Sequence, residues 1–159
     1  MLGIQILAVG QIKEKYFSEA IAHYQKRLGP YCKTKVVELE EEALYDESPK
    51  QVSIALQKEG DRLLKNMGDS YNIAMCIEGK PISSEELAEL IEGVPHMCGH
   101  NRINFIIGSS HGLSFDVKEK SDKKISFGKI TLPHQLARVV LYEQIYRSMR
   151  IINNAKYHK

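Results

Sequence analysis

The chain has 159 residues, 43% hydrophobic and 26% charged, with a formal net charge of +2. That length suits one domain, spanning 1–159, with a real core, and the composition excludes a disordered or fibrous chain. No apolar run approaches the roughly 18 residues of a membrane span, and the N-terminus lacks the basic segment of a signal peptide. Cys32, Cys76 and Cys98 are odd in number and form no CxxC pair. Neither a disulfide framework nor a metal site is therefore expected, and a reducing cytoplasm is the expected compartment.

In chain order, Ile4 to Val9 is an apolar run closed by Gly10, the pattern of a strand buried on both faces. Glu14 to Leu28 has helical periodicity through Phe17, Ala20, Ile21, Tyr24 and Leu28, and Gly29-Pro30 stops it. Lys35 to Leu39 is a short second strand, and Ser48-Pro49 opens a helix from about Lys50 to Asn66 that Gly60 weakens. Tyr71 to Ile77 is a third strand. Ser83-Ser84-Glu85-Glu86 is a capping box opening a helix through Ile91. Arg102 to Ile107 is the fourth strand, a short helix follows at Phe115 to Glu119, and a fifth strand lies at Ile125 to Phe127. Pro133 fits the first turn of the closing helix, where a missing N–H costs nothing. This alternation predicts an α/β domain with a mainly parallel sheet and helices on both faces.

The small net charge hides an asymmetry. Glu38, Glu40, Glu41, Glu42, Asp46 and Glu47 place six negative charges and no positive ones in one segment, whereas the stretch from Val117 onward carries ten Lys/Arg against three acidic residues. A basic C-terminal third opposite an acidic segment fits a polyanion partner, with the acidic segment turned away from it; a solvated surface of mixed charge fits equally well.

Ligands of open α/β sheets bind at the carboxyl ends of strands. Three such ends carry glycine: Glu78-Gly79-Lys80, Gly108-Ser109-Ser110-His111-Gly112 and Gly128-Lys129. None has the spacing of a dinucleotide or triphosphate loop, so a nucleoside-like ligand held by backbone contacts is the better match. The closing helix is apolar around most of its circumference, from Leu136 to Met149. Such a helix is buried, here against the sheet on one side and a partner subunit on the other. Glu143 and Arg147 stand i,i+4 and read as a surface pair. His134 and Arg138 share a face directed at the glycine loops and fit a structural or a site role equally well. The terminal Tyr157-His158-Lys159 has little helix drive, yet offers a stacking ring, an imidazole and an ammonium group.

Six segments become specific when taken together: Ile-Leu-Ala-Val-Gly (6–10), Tyr-Gln-Lys-Arg-Leu-Gly-Pro-Tyr (24–31), Glu-Gly-Lys-Pro-Ile-Ser-Ser-Glu (78–85), Phe-Ile-Ile-Gly-Ser-Ser-His-Gly-Leu (105–113), Leu-Pro-His-Gln-Leu-Ala-Arg-Val-Val-Leu-Tyr-Glu-Gln-Ile-Tyr-Arg (132–147) and Tyr-His-Lys (157–159). In this order and spacing they resemble the ribosomal RNA large subunit methyltransferase H family, small bacterial proteins of the SPOUT class. The resemblance implies a C-terminal trefoil knot, which spacing alone does not reveal. It also implies a homodimer that uses S-adenosyl-L-methionine to methylate N3 of a pseudouridine in 23S rRNA on assembled ribosomes.

By matching motif, the resemblance puts Met75, Gly108, Phe127, Gly128, Lys129, Ile130, Thr131 and Leu132 on the cofactor. It associates Tyr157, His158 and Lys159 with the target base. His158 or Tyr157 would orient or deprotonate the base, Lys159 and Arg138 would contact phosphates, and Arg147 and His134 are further substrate-side candidates. Family members often carry two glycines, then Ser or Pro, then Asn or Asp, where this chain has Gly108-Ser109-Ser110-His111, a departure expected to affect cofactor affinity before fold. Two other readings are a non-catalytic RNA- or ribosome-binding dimer and the same chemistry on tRNA.

Overall fold

Ile103, Phe105 and Ile107 point to one side of the middle strand and Ile106 to the other, and all four are buried. A strand with apolar residues on both faces needs a helix layer on each side. The computed structural model, which describes residues 1–156, supplies them. Its elements are β1 (Gly3–Val9), α1 (Lys15–Leu28), β2 (Lys33–Leu39), α2 (Pro49–Met67), β3 (Tyr71–Pro81), α3 (Ser84–Met97), β4 (Arg102–Ile107), α4 (Phe115–Lys120), β5 (Lys123–Ser126) and α5 (His134–Ile152). The sheet order is β2-β1-β4-β3-β5, and every pairing is parallel.

One core joins Ile4, Ile6, Ile73, Ile103 and Phe105 of the sheet to Ile21 of α1, Leu87 and Ile91 of α3, and Leu141, Tyr142 and Ile145 of α5. A second, on the opposite face, joins Leu7, Val9, Ala74 and Ile106 to Leu63 and Met67 of α2 and Val117 of α4. Caps set the helix starts. Ser48 accepts from the Gln51 N–H at the head of α2, and Ser114 accepts from the Val117 N–H at the head of α4. Ser83 and Glu86 form the expected capping box. No helix among the described residues is long and apolar enough to cross a membrane.

Several boundaries differ from the sequence expectation, Pro133 capping α5 from just outside its first turn among them, and three of the differences shape the core and the strand ends. Helix α3 runs on to Met97 through Pro95, well beyond Ile91. A proline inside a helix forfeits one backbone hydrogen bond, and here the fully buried Val94 and Ile91 hold the last turns on the core. Strand β3 extends to Pro81 because both Met75 and Lys80 face Ile125, so the residues between them bulge out of the ladder. Strand β5 ends at Ser126, which leaves Phe127 in the following loop.

Helix α5 packs chiefly between α1 and α3, its sheet contacts coming through the shared core. Two of its buried hydroxyls have partners within the chain: the Tyr142 hydroxyl accepts from Gln25 Nε2 at 3.0 Å, and the Ser148 hydroxyl donates to the Gln144 carbonyl at 2.8 Å. Burial pushes the Tyr142 phenol up to about 12.

Candidate active site

Strands β4, β3 and β5 are parallel neighbours, so their carboxyl ends open along one edge of the sheet. There they frame a cavity of about 340 Å³. Met75, Ile107 and Ile125 line it from the strand ends, and Phe127, Leu132 and Ala137 from the chain that follows β5. The lining is thus apolar, with polar groups at its margins. At one margin the Lys118 ammonium pairs with the Glu78 carboxylate and holds that carboxyl below the usual range.

The loop after β4 is tightly folded. The Gly112 N–H donates to the Ser109 carbonyl at 2.9 Å. A Cβ on Gly108 would lie 2.1 Å from the Gly112 oxygen, so no other residue fits there without moving the loop. Below it, Ser109 Oγ donates at 2.9 Å to Glu59, a carboxylate 3% exposed that burial pushes up from its ordinary range. The glycine of Glu78-Gly79-Lys80 has another purpose: a Cβ on Gly79 would be 2.6 Å from the Ile125 backbone. That glycine allows the β3 bulge to lie on β5, a packing reason and not a ligand one. In the loop after β5, Gly128 has a φ of +110° and donates its N–H to Ser126 Oγ at 3.2 Å.

The start of α5 forms the last side. His134 lines the cavity, and its Nδ1 is buried with no hydrogen-bond partner among the described residues. Its Cε1 lies 3.4 Å from where a Cβ on Gly10 would be. The Lys13 N–H donates to Gln135 Oε1 at 3.0 Å. Arg138, 1% exposed, donates to Glu38 at 2.5 Å and to the Gly10 carbonyl at 3.2 Å. These contacts fasten the helix start to the turn after β1.

Of the residues singled out in the sequence, Met75, Gly108, Phe127 and Gly128 line the cavity, together with Ile130, Thr131, Leu132 and His134. Lys129 lies in the same loop but is exposed and lines no wall. Arg138 is turned inward onto Glu38, so its guanidinium reaches no solvent from which a phosphate could approach. Arg147 donates to Glu143 at 2.7 and 3.1 Å. At about 1.5 Å per residue it stands roughly 20 Å along the helix from His134. Tyr157, His158 and Lys159 lie outside the described residues. Cys76, Ile77 and Lys118 also line the cavity. The first two follow from the bulge and could be anticipated only from the neighbouring Gly79, while Lys118 has no local signal at all.

The acidic segment occupies the same edge of the sheet. Glu38, Glu40, Glu41 and Glu42 line a groove of about 720 Å³ with Gly10 and Lys13, and His111 borders both this groove and the cavity. Arg62 holds the segment through the Glu40 carbonyl at 2.9 Å and the Glu42 carboxylate at 2.6 Å.

A family profile described as "Predicted SPOUT methyltransferase" matches residues 2–158. The chain belongs to the SPOUT methyltransferase family. It is 48% identical over 161 residues to the ribosomal RNA large subunit methyltransferase H of Oenococcus oeni, covering all of both chains. It is 47% identical over 158 residues to the protein of the same name from Carboxydothermus hydrogenoformans, covering 98% of this chain and 99% of that one. Among solved structures it resembles a "Probable Methyltransferase" from Bordetella pertussis, with a TM-score of 0.60 at 14% identity over 92% of this chain and 93% of that one. A tRNA (m1G37) methyltransferase from Aquifex aeolicus aligns with a TM-score of 0.52 at 15% identity over 91% and 69% of the two chains. At such identities the structures speak for fold alone. The chain is a methyltransferase, and its five-stranded parallel sheet is that of the family's knotted α/β fold.

Proposed function

We propose that this methyltransferase moves a methyl group from S-adenosyl-L-methionine to N3 of a pseudouridine in 23S rRNA, acting as a homodimer on assembled ribosomes. The observation that carries the reading is the coincidence of one cavity with the motif-matched residues. Met75, Gly108 and the 127–132 loop converge at three parallel strand ends, in a chain nearly half identical to proteins named for rRNA large-subunit methylation.

The residues present fit that cofactor. Apolar side chains of Met75, Ile107 and Leu132 suit an adenine ring, and the tightly folded Gly108–Gly112 loop borders the same cavity. The unpartnered Nδ1 of His134 offers one further polar contact. Bound there, S-adenosyl-L-methionine supplies a methyl group already activated by the positive charge on its sulfur.

The protein's own task is then positioning and one proton. N3 of the target base carries a hydrogen that must leave, and His158 or Tyr157 would accept it or orient the ring. Lys159 would contact phosphate, with His134 on the substrate side of the cavity. The inward turn of Arg138 supports a role in holding the start of α5. Arg147, a helix length from the cavity in its own chain, would reach RNA only at a site completed by a second subunit.

The test is methyl-labelled cofactor offered with assembled ribosomes, free large subunits or tRNA, the ribosomes taken from cells that lack this gene. Label in 23S rRNA of assembled ribosomes is expected. Label in tRNA, or binding to ribosomes with no label anywhere, would replace the proposal by one of the two alternatives.

A further inference from the structure

Helix α2 contributes no side chain to the cavity, yet two consecutive residues on it grip the loop that does. Glu59 is 3% exposed. One of its oxygens accepts from Ser109 Oγ at 2.9 Å and the other from the Glu42 backbone N–H at 3.1 Å. The next residue is Gly60, where a Cβ would lie 2.3 Å from Ser114 Oγ. Ser114 is itself buried and caps α4. The segment from Gly108 to Ser114 is thus held near both ends by adjacent positions of one helix turn. The titratable side chains that act electrostatically on the Glu59 carboxylate are Glu41 and His111, and His111 belongs to the same loop.

Burying a carboxylate is expensive, and an apolar residue would fill such a site at lower cost. What a carboxylate adds is direction, because hydrogen bonds to a charged acceptor are short and geometrically strict. Here one of them ends on Ser109, which lines the cavity next to the crowded Gly108. The other ends on the acidic segment, which Arg62 fixes from the same helix.

We infer that Glu59 is a positioning residue for cofactor binding: through Ser109 it sets the height of the Gly108–Gly112 loop against the cavity, and through Glu42 it ties that height to the acidic segment. The inference rests on the cavity's being the S-adenosyl-L-methionine site. Group packing alone would make any similar-sized residue adequate, whereas positioning requires the two hydrogen bonds.

Calorimetry of S-adenosyl-L-methionine binding to the full chain, with circular dichroism of every variant, tests it. Ser109→Ala is expected to weaken binding about tenfold, the order expected for one hydrogen bond to a charged group. Glu59→Gln keeps an acceptor for the Glu42 N–H and a donor for Ser109, and should stay within about threefold of wild type. Glu59→Ala should weaken binding about tenfold or more, with no additional loss when Ser109→Ala is combined with it. Where a folded variant loses affinity, the loss should appear in the KM for the cofactor more than in kcat, since positioning of this kind acts on binding. If Glu59→Ala fails to fold, Ser109→Ala and Glu59→Gln still decide. Wild-type affinity in folded Ser109→Ala, or a tenfold loss in folded Glu59→Gln, would overturn the inference. No binding by the wild-type chain, alone or with ribosomes, would overturn the reading of the cavity and this inference with it.

Discussion

Arg138 and Glu38, one hundred positions apart in the chain, form an ion pair at 2.5 Å whose guanidinium is 1% exposed. The pair, with the Arg138 bond to the Gly10 carbonyl, binds the first turns of α5 to the ends of β1 and β2. Removing one member of a buried pair strands the other. Glu38→Gln should therefore destabilise the fold by about 2–3 kcal/mol, below the figure for a fully buried pair because Glu38 keeps some exposure. Urea denaturation measures it, and a change within about 0.5 kcal/mol would show the pair to be of surface type.

Gly108→Ala should weaken cofactor binding at least about tenfold, because the added methyl must displace the Gly112 backbone from 2.1 Å. The change lies at a loop outside both cores, so the midpoint of thermal unfolding should fall by only a few degrees, about what 1 kcal/mol costs a domain of this size. Calorimetry and a thermal melt on the same sample separate the two effects.

Burial holds the Glu59 carboxyl above its ordinary range. The folded chain therefore keeps this proton to higher pH than the unfolded chain, whose value is about 4.3. The stability contributed by the protonated group is complete below that value and is lost as pH rises through the folded one. Glu59→Gln has no proton to lose. Its melting temperature relative to wild type should rise as pH climbs above about 4 and level off once the folded carboxyl has ionised. A difference that does not change with pH, or that falls, would contradict the assignment.

Deleting Tyr157 to Lys159 should leave melting temperature and cofactor affinity unchanged and abolish methyl transfer to ribosomes. Equal transfer by the truncated chain would remove these residues from the chemistry. Single replacement of His158 by Ala then distinguishes proton acceptance, which would lower turnover about a hundredfold or more, from a contact that only orients the base.

The strands and the glycine loops that line the cavity were legible because their signals are local. Buried runs such as Ile4–Val9 and Arg102–Ile107 end in glycine, and strand ends are where an α/β sheet binds its ligand. Sheet order was not legible, since nothing in β4 says that it will lie between β1 and β3. For the same reason Arg138 fitted a structural and a site role equally well: its partner is on another element, and burial is a property of the assembled fold. Gly79 shows the opposite error, a glycine at a strand end whose neighbour is the Ile125 backbone. Helix α3 passed its expected end because tertiary burial of Val94 outweighed the local cost of Pro95. That the acidic segment stands beside the cavity was not legible either, since it follows from β2 and β1 adjoining β4 in the sheet.

The proposed reaction adds one methyl group to one base. Large-subunit rRNA from cells lacking this gene, digested and mapped by mass spectrometry before and after treatment of their ribosomes with the purified protein and S-adenosyl-L-methionine, tests it directly. A single 23S fragment is expected to gain the mass of one methyl group, located on N3 of a pseudouridine. An unchanged 23S map, or a methyl group at a different atom or in another RNA, would contradict it.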